Sequence, residues 1–133
     1  MKRALWLLAV VVPALSAPVV VPALAQSACM EPAVPTMPNG KTAARAEIIA
    51  AAGAAKEFMT KSDEYQGCLN AEYEAAVNAG QAAAKEKKQA FDAKQLNADR
   101  EAKITANQKK KEEVGKAYGT TAAAYKQANP AGK

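Results

Sequence analysis

The stretch IIAAAGAAKEFMTKSDEYQGCLNAEY, residues 48–73, contains no proline and places its larger apolar side chains at helical spacing. The steps between these positions are threes and fours, which aligns the side chains along one face of an α-helix. Such a stripe predicts a helix that packs along a partner helix. The stripe continues past Tyr73, and its members are Ile48, Ala52, Ala55, Phe58, Met59, Ser62, Tyr65, Leu69, Tyr73, Ala76 and Val77.

The chain beyond this stretch also has the composition of helices. No proline occurs between Thr42 and Gln127, and alanine supplies 28 of the 108 residues from Gln26 onward. Alanine, lysine, glutamate and glutamine are strong helix formers, and no run alternates as a β-strand does. We therefore predict an all-α fold. A second stripe, interrupted by two polar residues, consists of Ile104, Asn107, Lys111, Val114, Tyr118, Thr121 and Tyr125.

Two short stretches have the signals of a break between helices. Residues 78–80, Asn-Ala-Gly, end the first stripe with a glycine suited to a left-handed C-cap. Residues 97–99, Asn-Ala-Asp, resemble a helix N-cap followed by an acid in the first turn. A break at the first stretch predicts a two-helix hairpin. A break at the second predicts a longer first helix or three helices.

Charge favours the antiparallel hairpin. Residues 26–80 carry a net charge of −3 and residues 81–133 a net charge of +6, and segments of opposite charge suit lateral pairing. The predicted divisions are then helix 1 over 42–79, helix 2 over 81–128 with an alternative break near 96–98, and a tail over 129–133.

The two cysteines, Cys29 and Cys68, indicate one intramolecular disulfide in an oxidising compartment. Two free thiols, or a bridge between two chains, are the alternatives. Three prolines spaced three apart favour an extended polyproline strap over residues 26–41. The strap from Thr42 back to Cys29 reaches about 40 Å at 3.1 Å per residue, and the helix from Thr42 to Cys68 rises about 39 Å. The equal lengths predict a strap that runs back along the first helix and is bonded to it.

Residues 1–25 have the pattern of a secretory signal peptide. Lys2 and Arg3 precede an apolar run, and residues 23–25, Ala-Leu-Ala, form a small-x-small cleavage site. A membrane span needs roughly 20 continuous apolar residues and prolines interrupt this run, so we disfavour a retained anchor. We also disfavour lipidation of Cys29, because Gln26 stands where a lipoprotein signal has a large aliphatic residue. The sequence predicts a periplasmic or secreted chain that starts at Gln26.

Together these features resemble a loose group of small exported bacterial proteins of unknown function. The likeness covers most of the chain after the signal peptide, and it implies a helical protein of the periplasm or envelope without an implied activity. The matching motifs are a signal ending in ALA, the leader C-x-x-P-x-x-P-x-x-P-x-G from Cys29 to Gly40 with Pro32, Pro35 and Pro38, Y-x-x-C-L with Tyr65, Cys68 and Leu69, and A-Y-K at 124–126.

Several classes of chemistry have little support in the sequence. The chain has no histidine, which is the commonest metal ligand and general base. It also has no C-x-x-C motif and no glycine-rich phosphate loop. A net charge of only +3 from Gln26 onward is too small to favour nucleic-acid binding. We predict no enzymatic activity, cofactor, metal or nucleic-acid partner; an enzyme would need a cofactor or subunit that the sequence does not reveal.

The function that we expect is a structural or partner-binding module of the cell envelope. Its candidate docking surface, for an envelope protein or a second copy of the chain, is the apolar seam of Phe58, Tyr65, Leu69 and Tyr73. The alternative is weak binding of anionic envelope polymer or lipid head groups through the basic second helix. The candidate contacts for that binding are Lys109, Lys110 and Lys111.

Overall fold

The computed structural model describes residues 29–130. Within this range the chain forms two α-helices and no strand: α1 spans Arg45–Lys87 and α2 spans Lys94–Ala128. The two helices pack against each other, so the prediction of an all-α fold is confirmed for the described residues. The predicted signal peptide over 1–25, its cleavage site and the start at Gln26 lie outside these residues.

Each helix buries one stripe of side chains against the other. The stripe of α1 advances in alternate steps of four and three residues, and the buried positions of α2 are seven residues apart. A repeat of seven residues in two turns keeps one face of each helix directed at its neighbour. The buried residues are Ala51, Ala55, Phe58, Ser62, Tyr65 and Leu69 in α1, and Asn107, Val114 and Thr121 in α2.

Eight of these nine buried residues belong to the two predicted stripes, whose other members are half-buried. The exception is Ala51, which is buried in α1, whereas the expected Ala52 is half-buried. The centre of the apolar core is formed by Ala55, Phe58 and Val114. Partly buried hydrophobic side chains surround it: Met37, Met59 and Tyr118. This core is small, so contacts outside it contribute a large share of the stability.

The connection between the helices lies between the two expected positions. Helix α1 continues through Gly80 to Lys87, and the chain turns over residues 88–93 before α2 begins. The left-handed residue at the end of α1 is Lys88, with φ 52°, in place of the expected glycine. Gly80 has another reason to be small, because a Cβ built there would overlap the ring of Phe91. The glycine lets the connection fold back onto α1.

The segment before α1, residues 29–44, forms neither helix nor strand, and it contacts both helices. We call it the N-terminal segment. Cys29 is bonded to Cys68 of α1, with the two Cα atoms 5.6 Å apart. Further along, the Thr121 hydroxyl of α2 donates to the carbonyl oxygen of Pro38 at 3.2 Å. The N-terminal segment therefore runs antiparallel to α1 and parallel to α2.

A tight turn reverses the chain between the N-terminal segment and α1. The carbonyl oxygen of Asn39 accepts the N–H groups of Thr42 and Ala43 at 3.1 and 2.8 Å. The Glu47 side chain then accepts the Ala44 N–H at 2.6 Å, which satisfies one of the donors left over at a helix start. Because the turn occupies residues 39–43, α1 begins at Arg45, three residues after the expected position.

We expect Gly40→Ala to lower the free energy of unfolding by about 1–3 kcal/mol. Gly40 is buried, and an added Cβ would overlap the backbone carbonyl of Thr121 in α2. Denaturant unfolding monitored by circular dichroism measures the change. The matched control is Gly53→Ala, where a Cβ meets nothing within 4 Å and the higher helix propensity of alanine should stabilise the protein. Shifts of the same sign in both variants would contradict the close approach at Gly40.

Candidate functional site

The disulfide joins the N-terminal segment to α1 beside an acidic side chain. Glu72 lies one helical turn after Cys68, so both residues are on the same side of α1. The backbone N–H of Cys29 donates to a carboxylate oxygen of Glu72 at 3.3 Å. The predicted intramolecular bridge between Cys29 and Cys68 is confirmed, and neither cysteine is a free thiol.

A buried polar network lies next to the disulfide and centres on Asn107 of α2. Asn107 and Ser62 are fully buried. The amide nitrogen of Asn107 donates to the Ser62 hydroxyl at 3.3 Å and to a Glu31 carboxylate oxygen at 3.4 Å. Its amide oxygen accepts a hydrogen bond from Gln66 at 2.8 Å. This one side chain thus connects the N-terminal segment, α1 and α2.

The network specifies how the helices align, because a buried amide needs its partners. Sliding α2 by one turn would leave Asn107 and Ser62 buried without hydrogen bonds, which costs about 1–3 kcal/mol for each group. In the sequence Asn107 is an interruption of an apolar stripe. The feature of the sequence that indicates this network is that each stripe contains a small polar residue, Ser62 in one and Asn107 in the other.

We expect Asn107→Ala to lower the free energy of unfolding by about 2–3 kcal/mol, since Ser62 and Gln66 lose their partner inside the protein. Urea unfolding at neutral pH measures the change. Asn70→Ala is the matched control, because the Asn70 amide is exposed and accepts a hydrogen bond from Arg100 at the surface. We expect that control to change stability by less than about 0.5 kcal/mol. Equal losses in the two variants would argue against a structural role for the buried network.

The three lysines of the predicted cluster on α2 point in three different directions. Lys110 forms an ion pair with Glu31 of the N-terminal segment at 2.6 Å. Lys111 forms an ion pair with Asp63 of α1, and only 16% of its side chain is exposed. Lys109 is exposed. Successive helical residues point about 100° apart, so these three lysines do not share one surface.

The Glu31–Lys110 ion pair is a contact of the N-terminal segment that we expect to depend on pH. The hydrogen bond from Lys110 lowers the pKa of Glu31 below its ordinary value, and partial burial opposes this shift. A carboxyl group with a lowered folded-state pKa stabilises the protein above its unfolded pKa, and this contribution is lost as the pH falls through the folded pKa.

We therefore expect Glu31→Gln to lower the thermal midpoint at pH 7, by an amount equivalent to less than about 1 kcal/mol. The gap between wild type and variant should close as the pH falls through the lowered pKa of Glu31, because the carboxyl group then becomes protonated in the wild type. Thermal unfolding from pH 7 to pH 3 measures this. A gap that stays constant across that range would contradict the contribution of the ion pair.

The predicted docking seam packs inside the molecule. Phe58 and Leu69 are each 3% exposed, and Tyr65 is 9% exposed. Burial also raises the pKa of the Tyr65 hydroxyl. Tyr73 is half-buried, with the Arg100 guanidinium 4.4 Å from its ring centroid. Because α2 supplies the partner helix, three of these four side chains are not accessible for docking, and the seam is an intramolecular interface.

Two open depressions flank the N-terminal segment. One lies between Thr36–Pro38 and the alanines at 50, 51 and 54 of α1. The other surrounds the disulfide and is lined in part by Glu31, Lys61 and Tyr65. Both are open to solvent.

No family model, curated protein or solved structure matches the chain. Neither α1 nor α2 has an apolar stretch of the length and hydropathy required to cross a bilayer.

Proposed function

We propose that this protein is an exported, non-enzymatic structural or partner-binding module of the bacterial cell envelope, located in the periplasm or secreted. The observation that carries the proposal is the disulfide between Cys29 and Cys68, since disulfides persist in oxidising compartments and are rare in the cytosol. The signal-peptide pattern of residues 1–25 supports the same compartment.

In this proposal the N-terminal segment is a proline-rich strap, and the two helices form a short antiparallel coiled coil. An α1 of 43 residues is about 65 Å long at 1.5 Å per residue, which suits a spacer of defined length. A body this thin buries little apolar surface. The strap compensates because it is fixed at Cys29 by the disulfide and at Glu31 and Pro38 by polar contacts with α2.

The experiment that tests this proposal is an intact-mass measurement of the native protein from separated cell fractions, with and without reduction and alkylation. We expect a monomer in the periplasmic or secreted fraction that starts at Gln26 and is two hydrogens lighter than the dithiol. A cytoplasmic chain with two free thiols, an uncleaved chain or a disulfide-linked dimer would each overturn the proposal.

The alternative function, weak binding of anionic envelope polymer or lipid head groups, is favoured by the charge of α2. Residues 94–128 carry a net charge of +4, whereas residues 45–87 carry −2. Electrostatic attraction to a polyanion weakens at physiological salt, whereas docking to an envelope protein through apolar contacts tolerates it.

A triple variant, Lys109/Lys110/Lys111→Ala, separates the two functions. The matched control is Lys85/Lys87/Lys88→Ala, which removes three exposed lysines at the connection between the helices. The readout is retention in the envelope fraction at low and physiological salt. For docking to an envelope protein, we expect retention to be the same in both variants and at both salt concentrations. Loss of retention in the first variant alone, together with loss in salt, would establish the polyanion function instead.

A further inference from the structure

We propose that the reduced chain binds Zn²⁺ through Cys29, Cys68 and Glu72, so that a metal ion replaces the disulfide as the link between the N-terminal segment and α1. The two sulfur atoms and a carboxylate oxygen of Glu72 all lie within 4.8 Å of one another. This inference is independent of the proposed function, because it concerns the chain after reduction.

The positions of the three groups suit a tetrahedral zinc ion. Zinc binds sulfur at about 2.3 Å and carboxylate oxygen at about 2.0–2.2 Å, which places ligand atoms about 3.5–3.8 Å apart. After the disulfide is cleaved the sulfur atoms separate, while the backbone already holds the two Cα atoms at 5.6 Å. Rotation of the side chains is then sufficient to admit the ion between them.

The surroundings hold the two cysteines together without the disulfide. The Glu31–Lys110 ion pair and the Thr121–Pro38 hydrogen bond attach the N-terminal segment to α2. The hydrogen bond from the Cys29 N–H positions the Glu72 carboxylate beside the sulfurs. A carboxylate oxygen accepts more than one partner, so this hydrogen bond and a bond to the metal are compatible.

The ligand set selects the metal. Two thiolates and one carboxylate suit the borderline ion Zn²⁺, whereas Mg²⁺ and Ca²⁺ require oxygen ligands. Three protein ligands leave a fourth position for water. All three residues are half-buried, so the ion has access from solvent.

A dithiol reductant gives two electrons and two protons to the disulfide, forms its own disulfide and leaves Cys29 and Cys68 as thiols. Zn²⁺ then displaces one proton from each thiol and binds both thiolates, while Glu72 contributes an ionised carboxylate. The two displaced protons pass to the buffer.

The test is a titration of the phosphine-reduced chain with Co²⁺, a spectroscopic substitute for Zn²⁺. We expect one Co²⁺ per chain, a thiolate-to-cobalt charge-transfer band in the near ultraviolet, and loss of that band when Zn²⁺ is added. Glu72→Gln keeps an acceptor for the Cys29 N–H but removes the charged ligand, so we expect its Co²⁺ affinity to be about 10–100-fold weaker. Glu74→Gln, on the exposed side of α1, should bind as wild type does.

A second readout is the thermal midpoint of the reduced chain. Because a ligand that binds the folded state stabilises it, Zn²⁺ should raise this midpoint in the wild type and in Glu74→Gln. The rise should be much smaller in Glu72→Gln. The absence of a charge-transfer band in the reduced wild type would overturn the proposal. Equal Co²⁺ affinities of wild type and Glu72→Gln would also overturn it.

Discussion

Replacing Cys29 and Cys68 together by serine is expected to lower the free energy of unfolding by about 3–4 kcal/mol. The disulfide closes a loop with a sequence separation of 39 residues, and a cross-link of this span restricts the unfolded chain strongly. Small domains have a total stability of about 5–15 kcal/mol, so the loss is a large share. The measurement is guanidinium unfolding of the oxidised wild type and the double variant, both with a chelator present.

Reduced wild-type protein, measured with the same chelator, is the control for this variant. It should unfold at nearly the same denaturant concentration as the double variant, because both lack the cross-link and serine closely resembles the thiol in size. If the double variant unfolds at the same midpoint as the oxidised wild type, the disulfide does not stabilise the hairpin, and the N-terminal segment is held by its polar contacts alone.

Phe58→Ala is expected to lower the free energy of unfolding by about 3–5 kcal/mol, the usual cost of deleting a fully buried aromatic side chain. Phe58 is 3% exposed and belongs to the cluster with Ala55 and Val114. Few other large side chains are buried at the interface, so neighbouring residues cannot refill the cavity. Urea unfolding followed by circular dichroism at the helical band measures the change.

The same substitution at Phe91 provides a matched control. Phe91 is only half-buried and packs on Gly80 at the connection between the helices. Its truncation should cost clearly less, about 1–2 kcal/mol, because the side chain loses less buried area. A loss at Phe91 as large as that at Phe58 would mean that the connection, and not the observed core, dominates the stability.

The end of α1 shows why local sequence composition did not predict the position of the turn between the helices. The Asn-Ala-Gly stretch at 78–80 has the composition of a helix end, yet the helix continues through it. Glycine in a helix costs roughly 1 kcal/mol relative to alanine, and the helix formers that follow it offset this cost. Beyond the end of the helix, Phe91 packs against Gly80, a contact between residues 11 positions apart that the local stretch at 78–80 does not contain.

The lysines of α2 also show that local sequence does not predict contacts between distant residues. In the sequence, three consecutive lysines form a basic cluster. In the structure, Lys110 forms an ion pair with Glu31 and Lys111 forms one with Asp63. Lys109 points in a different direction. These acids come from the N-terminal segment and from α1, 79 and 48 residues away. Their proximity is a property of the packing and not of any local motif.

The amino-acid sequence by itself determined the helical class and most of the buried face of α1, and it favoured a single bridge between the two cysteines, which the structure then showed. Each of these follows from local propensity, from periodicity along one helix or from a count that allows a single pairing. Only the tertiary structure decided where the hairpin turns, that Phe58, Tyr65 and Leu69 of the predicted docking seam are internal, and that Asn107 joins three parts of the chain. Glu72 likewise accepts the hydrogen bond from the Cys29 N–H only through folding, because these features require residues distant in sequence to come within a few ångströms.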